Sequence, residues 1–388
     1  MRLPEGFHAA GVAAGVKPSG RPDVALWVAD RPSAWAATTT RNRFVAACVT
    51  RTRALYATEA PIRALVVNAG NANCATGEVG VRDDAELAER AAAAVGRRDG
   101  APLAPTAVVT GSTGVIGVPM PMDAVRSGID AAAETLSPAG GEAFATAILT
   151  TDLATKVAER TLPGGAHVVG VAKGSGMIHP NMATMLAYVA TDADVPQATL
   201  RAAWPGIVDR SFNQLTVDGD TSTNDMAIVM ANGARPADTE AFLEALEAIA
   251  VELTEAIAAD GEGATTLLRV RVEGAANDDE ARVAARGVAS SSLVKAAVYG
   301  RDPNWGRILV AAGQTRVAMD AAVARVTVQG HRVYDGGPAP FDAARVAADM
   351  NAHVLDLEVD LGAGEASGRA WGCDLTTQYV HINADYTT

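Results

Sequence analysis

Lys173-Gly174-Ser175-Gly176-Met177-Ile178-His179-Pro180-Asn181-Met182-Ala183-Thr184-Met185-Leu186 is the stretch on which the reading of this chain turns. Its two glycines make a turn, Pro180 biases His179 away from helix, and an apolar run to Val189 follows. The pattern predicts a strand opening at Thr184, just after an irregular segment. Thr184 then has two readings. It is a β-branched residue at a strand start, or it is a nucleophile released by self-cleavage. In the second reading its hydroxyl attacks the Ala183 carbonyl and the Ala183–Thr184 bond breaks. The freed α-amino group, with a reference pKa of about 7.7–8.0, is the base that a weakly nucleophilic threonine needs. Small Ala183 leaves the carbonyl open, and no histidine partner is evident. The residues alone leave both readings standing.

Outward from this stretch, helix and strand patterns alternate. Leu65-Val66-Val67 reads as a short buried strand ending in the polar turn Asn68-Ala69-Gly70-Asn71-Ala72-Asn73, and Asp83 and Asp84 cap a helix through an Ala-rich run ending near Gly96. Phe242, Leu246, Ile249, Leu253 and Ile257 share one helical face from a start at Asp238 or Thr239 to a stop at Asp260-Gly261. Leu268, Val270 and Val272 alternate with charged residues, as do Leu355, Leu357, Val359 and Leu361, so both segments read as half-buried strands. Helices are predicted over about Asp279–Arg286 and Ser292–Tyr299. The order is mixed α/β with antiparallel signals late in the chain, and no repeat or low-complexity linker marks a hinge.

The chain has 388 residues, 49% hydrophobic and only 4% aromatic, so its core must be packed mainly by Ala, Val, Leu and Ile. A net charge of −13 argues against nucleic acid or an anionic membrane as partner, because phosphate binding needs clustered cations. Only Lys17, Lys156, Lys173 and Lys295 are lysines, which draws attention to each. Cys48, Cys74 and Cys373 are odd in number and far apart, so no disulfide framework follows. With no leader pattern at the start and no spanning apolar run, a cytoplasmic protein is expected.

Several motifs fail. Gly111-Ser112-Thr113-Gly114-Val115-Ile116-Gly117 fits neither the dinucleotide fingerprint nor a P-loop. Asp218-Gly219-Asp220-Thr221-Ser222 begins like a calcium loop but has Thr223 for its turn glycine and Val229 for its bidentate glutamate. The six histidines form no metal spacing and no nucleophile elbow is present, so no metal site is expected.

The segment Lys173 to Leu186 resembles the signature of the ornithine acetyltransferases, the glutamate N-acetyltransferase family of arginine biosynthesis. Asn68–Asn73, Thr110–Gly117, Thr150-Thr151-Asp152, Asn213 with Thr216–Asp225, Asp260–Thr265, Gly300–Arg307 and Ile382–Thr388 follow in the family's order, essentially end to end. One departure is Cys74-Ala75, where the family usually has Ala-Cys.

The resemblance implies a layered α/β sandwich of the self-cleaving N-terminal-threonine acetyltransferase type. It would be cut between Ala183 and Thr184 into segments 1–183 and 184–388 that fold as one catalytic unit and associate as a heterotetramer. It makes Thr184 the acetyl-accepting nucleophile, Thr113 and Gly114 the oxyanion hole, and Thr151, Lys173, Thr184, Glu262, Asn383 and Thr388 the substrate contacts. The substrates implied are N-acetylornithine and glutamate. No cofactor is implied, and acetyl-CoA would enter as a second acetyl donor. Arg301, Asp302, Asn304, Trp305 and Arg307 read as a structural or interface cluster, and Asp218, Asp220, Asn224 and Asp225 as a turn network supporting the site. The rivals are a hydrolase or aminopeptidase with the same nucleophile, a secondary-metabolism acetyltransferase with another acceptor, and a binding protein that never cleaves.

Overall fold

The structure is a computed structural model that describes residues 1–179 and 185–385. Its first sheet is built by β1 (Phe7–Val12), β2 (Val24–Thr39), β3 (Ile62–Asn71), β4 (Val108–Val115), β5 (Lys156–Thr161), β6 (His167–Lys173), β7 (Leu186–Ala193) and β8 (Met226–Arg235). Interspersed are α1 (Ala47–Ala57), α2 (Gly77–Asp99), α3 (Met122–Glu134), α4 (Gly141–Ala147), α5 (Gln197–Arg210) and α6 (Thr239–Ala259). The second sheet comprises β9 (Leu267–Ala275), β10 (Arg325–Val328), β11 (His331–Asp335), β12 (Val354–Asp360) and β13 (Ala366–Cys373). With it come α7 (Asp278–Ser290), α8 (Ser292–Tyr299), α9 (Trp305–Gly313), α10 (Ala343–Asp349) and α11 (Thr377–Asp385).

The strand order is β4-β3-β2-β8-β7-β6-β5 with β1 also on β2, and β11-β10-β12-β9-β13 in the second sheet. β3–β4, β7–β8 and β9–β12 are parallel and the other pairs antiparallel. The late antiparallel signals are thus real, but β9 and β12 run parallel, a pairing that spacing alone does not give.

β6 and β7 are buried along their whole length because both faces of their sheet are covered. Ala172, Ala187 and Val189 pack on Trp204, Leu246, Ile249 and Leu253 from α5 and α6. Val171, Leu186 and Tyr188 face Cys48 and Val49 of α1 and Phe144 of α4. The other end of the sheet packs Leu26 and Val66 on Leu87 of α2 and Ile129 of α3. The second sheet rests Val270, Val272 and Leu357 on Val288 of α7 and Ile308 of α9. Trp371 of β13 belongs to the first core and donates to Glu255 of α6 at 2.9 Å, so α6 joins the two sheets. Mixed strands layered between helices are the layered α/β class read from the sequence.

Two local expectations need correction. β3 runs on to Asn71, because its last residues still pair with β4, so the turn starts only at Ala72. The helix expected to be capped by Asp83 and Asp84 starts at Gly77. Asn73 and Ala75 adopt positive φ and reverse the chain early, and the Asn73 amide donates to Gly80 O in the first turn. By contrast, the Asp238 side chain caps α6 by accepting from Ala241 N, as its sequence suggests.

Candidate active site

The ends of β4 and β6, the turn after β3, the loop around Thr150, the loop before β8, the segment after α6 and α11 close around a cavity of about 460 Å³. Thr113 and Gly114 form its floor at the end of β4. A Cβ on Gly114 would lie 2.3 Å from the Gly70 carbonyl carbon, and its φ is +129°, so only glycine lets the two strand ends meet this closely. The Asn224 amide donates to Ala72 O at 2.6 Å and Ser112 O at 2.8 Å, clamping the β3 turn to β4 from the loop before β8. Ser112 in turn donates to Asn68 Oδ1 at 2.7 Å, and Asn68 to Asn71 O at 2.8 Å.

Lys173 closes β6, and its buried Nζ donates to Thr113 Oγ1 at 3.3 Å. Burial pushes its ammonium pKa down, with Asp152 opposing that shift and Lys156 reinforcing it. Burial also works against the Asp152 carboxylate, but the Lys173 and Lys156 cations overcome it and hold that group well below the usual carboxylate range. Opposite stands Glu262, a buried carboxylate accepting from Asn383 Nδ2 at 2.8 Å. Gly176 is glycine because a Cβ there would fall 2.2 Å from Glu262 Oε2. Asp218 accepts from Met177 N and Ile178 N at 2.6 and 2.8 Å, and Thr221 donates to His179 O at 3.0 Å. The expected turn network therefore fixes the chain leading to residue 180. On its other flank, Met185 shares a small cavity with Thr113, Lys173 and Asp225.

Thr113, Gly114, Thr151, Lys173, Glu262 and Asn383 all line the main cavity, although they come from five separate stretches of chain. Ala183, Thr184 and Thr388 lie outside the described residues. The Arg301–Arg307 cluster does not line the cavity. There, Asn304 caps α9 by accepting from Arg307 N at 3.1 Å, and Trp305 packs on Tyr334. Sequence reasoning missed Lys156 and Asp260, which join Asp152 behind Lys173, and Tyr379, which lines the cavity. The scarcity of lysine was the one signal that pointed to Lys156. Among the described residues no group of three or more His, Cys, Asp or Glu could hold a metal ion, and no helix is long and apolar enough to cross a membrane.

The ArgJ family model matches residues 8–388. The arginine biosynthesis bifunctional protein ArgJ of Thermus thermophilus is 55% identical over all of this chain and all of its own. That of Deinococcus radiodurans is 54% identical over all of this chain and 98% of its own. A solved structure of the arginine biosynthesis bifunctional protein ArgJ from Bacillus halodurans, 40% identical, superposes with a TM-score of 0.51 over 52% of this chain and all of that one. Layered α/β architecture, a polar cavity carrying both charge signs and these likenesses together define a transferase of amino-acid biosynthesis. The chain belongs to the ArgJ family and is an enzyme of arginine biosynthesis.

Proposed function

We propose that the enzyme transfers acetyl from N2-acetyl-L-ornithine to L-glutamate by a ping-pong route through an acetyl ester on Thr184, after self-cleavage between Ala183 and Thr184. The freed α-amino group takes the Thr184 hydroxyl proton as the oxygen adds to the acetyl carbonyl. Collapse of the tetrahedral intermediate expels ornithine, which takes that proton. The glutamate amine then attacks the ester, and the threonine oxygen recovers a proton as acetylglutamate leaves. Thr113 and Gly114 stabilise the oxyanion in both halves, a contribution of about 10²–10³ in rate per donor. Thr151, Lys173, Glu262, Asn383 and Thr388 hold the amino-acid ends, with Lys173 and Glu262 supplying opposite charges.

The convergence of Thr113, Gly114 and Lys173 at one cavity, with Met185 beside Thr113 and Lys173, carries this reading. The Bacillus halodurans chain supports the cut, since all of it corresponds to about half of this one. We further propose that no cofactor is required, that acetyl-CoA serves as an alternative donor, and that the enzyme works in the cytoplasm as a heterotetramer of two copies of each segment. Intact mass of the denatured protein tests the proposal. Two fragments divided at Ala183–Thr184 are expected, with a single uncut chain for Thr184→Ala. An uncut, folded wild type would overturn the mechanism. Omitting glutamate from the assay separates transfer from hydrolysis, because ornithine release then continues only if water resolves the ester.

A further inference from the structure

Behind the cavity floor, Lys173 ends a run of alternating charges whose other members, Asp152, Lys156 and Asp260, the proposed chemistry does not use. Lys156 Nζ donates to Asp152 Oδ1 at 2.7 Å and to Asp260 Oδ2 at 2.5 Å, bringing together residues 104 positions apart. Asp260 Oδ2 also accepts from Leu153 N at 3.0 Å. Asp152 holds the end of β6 in two ways: Oδ1 accepts from Gly174 N at 2.6 Å, and Oδ2 lies 4.0 Å from Lys173 Nζ. The Thr150 N–H, at 2.9 Å, fixes the same carboxylate from its own loop. An isolated surface pair would be worth little. Here Lys156, Asp152 and Lys173 are all buried, so the attraction of each charge for the next offsets the cost of taking it out of water.

We infer that Asp152, with Lys156 and Asp260 behind it, is a positioning residue that aims the Lys173 ammonium at the Thr113 hydroxyl, so that Thr113 presents its own O–H to the oxygen on which charge develops. An ammonium donates and cannot accept, so while Lys173 is protonated Thr113 Oγ1 accepts from it, which frees the Thr113 O–H to donate into the cavity that the residue lines. A donor fixed before the reaction needs no reorientation when charge appears. Lys173 thereby acts on the oxyanion side as well as toward substrate. The inference rests on the acyl-transfer reading above.

The ionisable groups facing Lys173 are Asp152 and Glu262, which favour its ammonium form, Asp225, whose own burial pushes its carboxyl up toward the neutral form, and Lys156, which opposes the ammonium; Lys17 also feels the Lys173 charge. Removing the Asp152 charge therefore makes Lys173 lose its proton at lower pH, whereas removing the Lys156 charge does the reverse. The test measures acetyl transfer against pH for the wild type, Asp152→Asn, Lys156→Gln and Thr113→Val. An inactive wild type would count against the acyl-transfer reading itself. With an active wild type, Asp152→Asn is expected to lower kcat at least about tenfold, a larger effect than any rise in KM from the substrate-facing role of Lys173, and to move the alkaline limb to lower pH. Lys156→Gln is expected to move that limb to higher pH. Adding Thr113→Val to Asp152→Asn should cost little more, because both act on one donor. Wild-type kcat and limb in Asp152→Asn, or limbs moving the same way in both single variants, would overturn the inference. If Asp152→Asn does not fold, the direction of the Lys156→Gln limb decides it.

Discussion

A methyl group on Gly114 would stand 2.3 Å from the Gly70 carbonyl carbon and 2.6 Å from Asn71 N, at a φ that L side chains rarely adopt. Neither neighbour is the free end of a side chain, so relief must come from moving the β3 turn or β4, displacing Thr113 with it. Gly114→Ala is therefore expected to lower kcat about 10²-fold and to strain the backbone by about 1–3 kcal/mol, read by steady-state kinetics and thermal unfolding. Gly176→Ala differs, because what it meets is the Glu262 carboxylate. Pushing Glu262 off Asn383 should raise KM for the amino-acid substrates more than it lowers kcat. Both glycines stand out in the sequence as parts of dense small-residue runs. Their reasons do not, since Gly114 is constrained by a strand some 40 residues earlier and Gly176 by a residue that follows α6.

α2 shows what sequence reading leaves out at the scale of an element. Asp84, expected at its N-terminus as a cap, instead lies buried within the helix. Burial pushes its carboxyl up to about 6, with Thr110 and Arg51 partly offsetting. A carboxyl whose folded pKa exceeds its unfolded value holds extra protons when folded, so its effect on stability turns unfavourable as pH rises from about 4 through 6. Asp84→Asn is accordingly expected to be more stable than wild type at pH 8, by about 1–3 kcal/mol. The two should converge near pH 4, as chemical denaturation at both pH values will show. α6 is the opposite case. Its apolar face and its Asp238 cap are local features, and the helix forms where they say. Leu253 is fully buried on that face between the helix and the first sheet. Leu253→Ala should cost about 2–5 kcal/mol, measured as a fall in unfolding free energy.

At the scale of the molecule, the proposed cut falls between two strands of one sheet. β6 pairs with β7 from Val168–Thr191 to Lys173–Leu186, and β2 with β8 from Ala34–Ala231 to Thr39–Met226. Both of these ladders would join residues 1–183 to residues 184–388, and the first two cores draw side chains from each. Breaking one peptide bond leaves all of that burial intact. The two segments are expected to migrate as one species under native conditions and to separate only in denaturant. Native size-exclusion followed by denaturing electrophoresis would reveal this, and segments that part in plain buffer would contradict it. A heterotetramer would elute at twice the mass of one cut chain.

Amphipathic period, the Asp238 cap, strand alternation and the ordered polar motifs are properties of neighbouring residues, and from them the sequence by itself determined the mixed α/β class, the family resemblance and, through that resemblance, six of the residues lining the cavity. Tertiary structure alone decided the parallel pairing of β9 with β12, the early start of α2 and the burial of Asp84. It also decided the run of charges from Asp260 through Lys156 and Asp152 to Lys173. The physical reason is common to all of these. Each depends on groups far apart in the chain meeting in a medium of low polarity, where one unpaired charge or one added methyl group matters. No local pattern records which distant partner will be there.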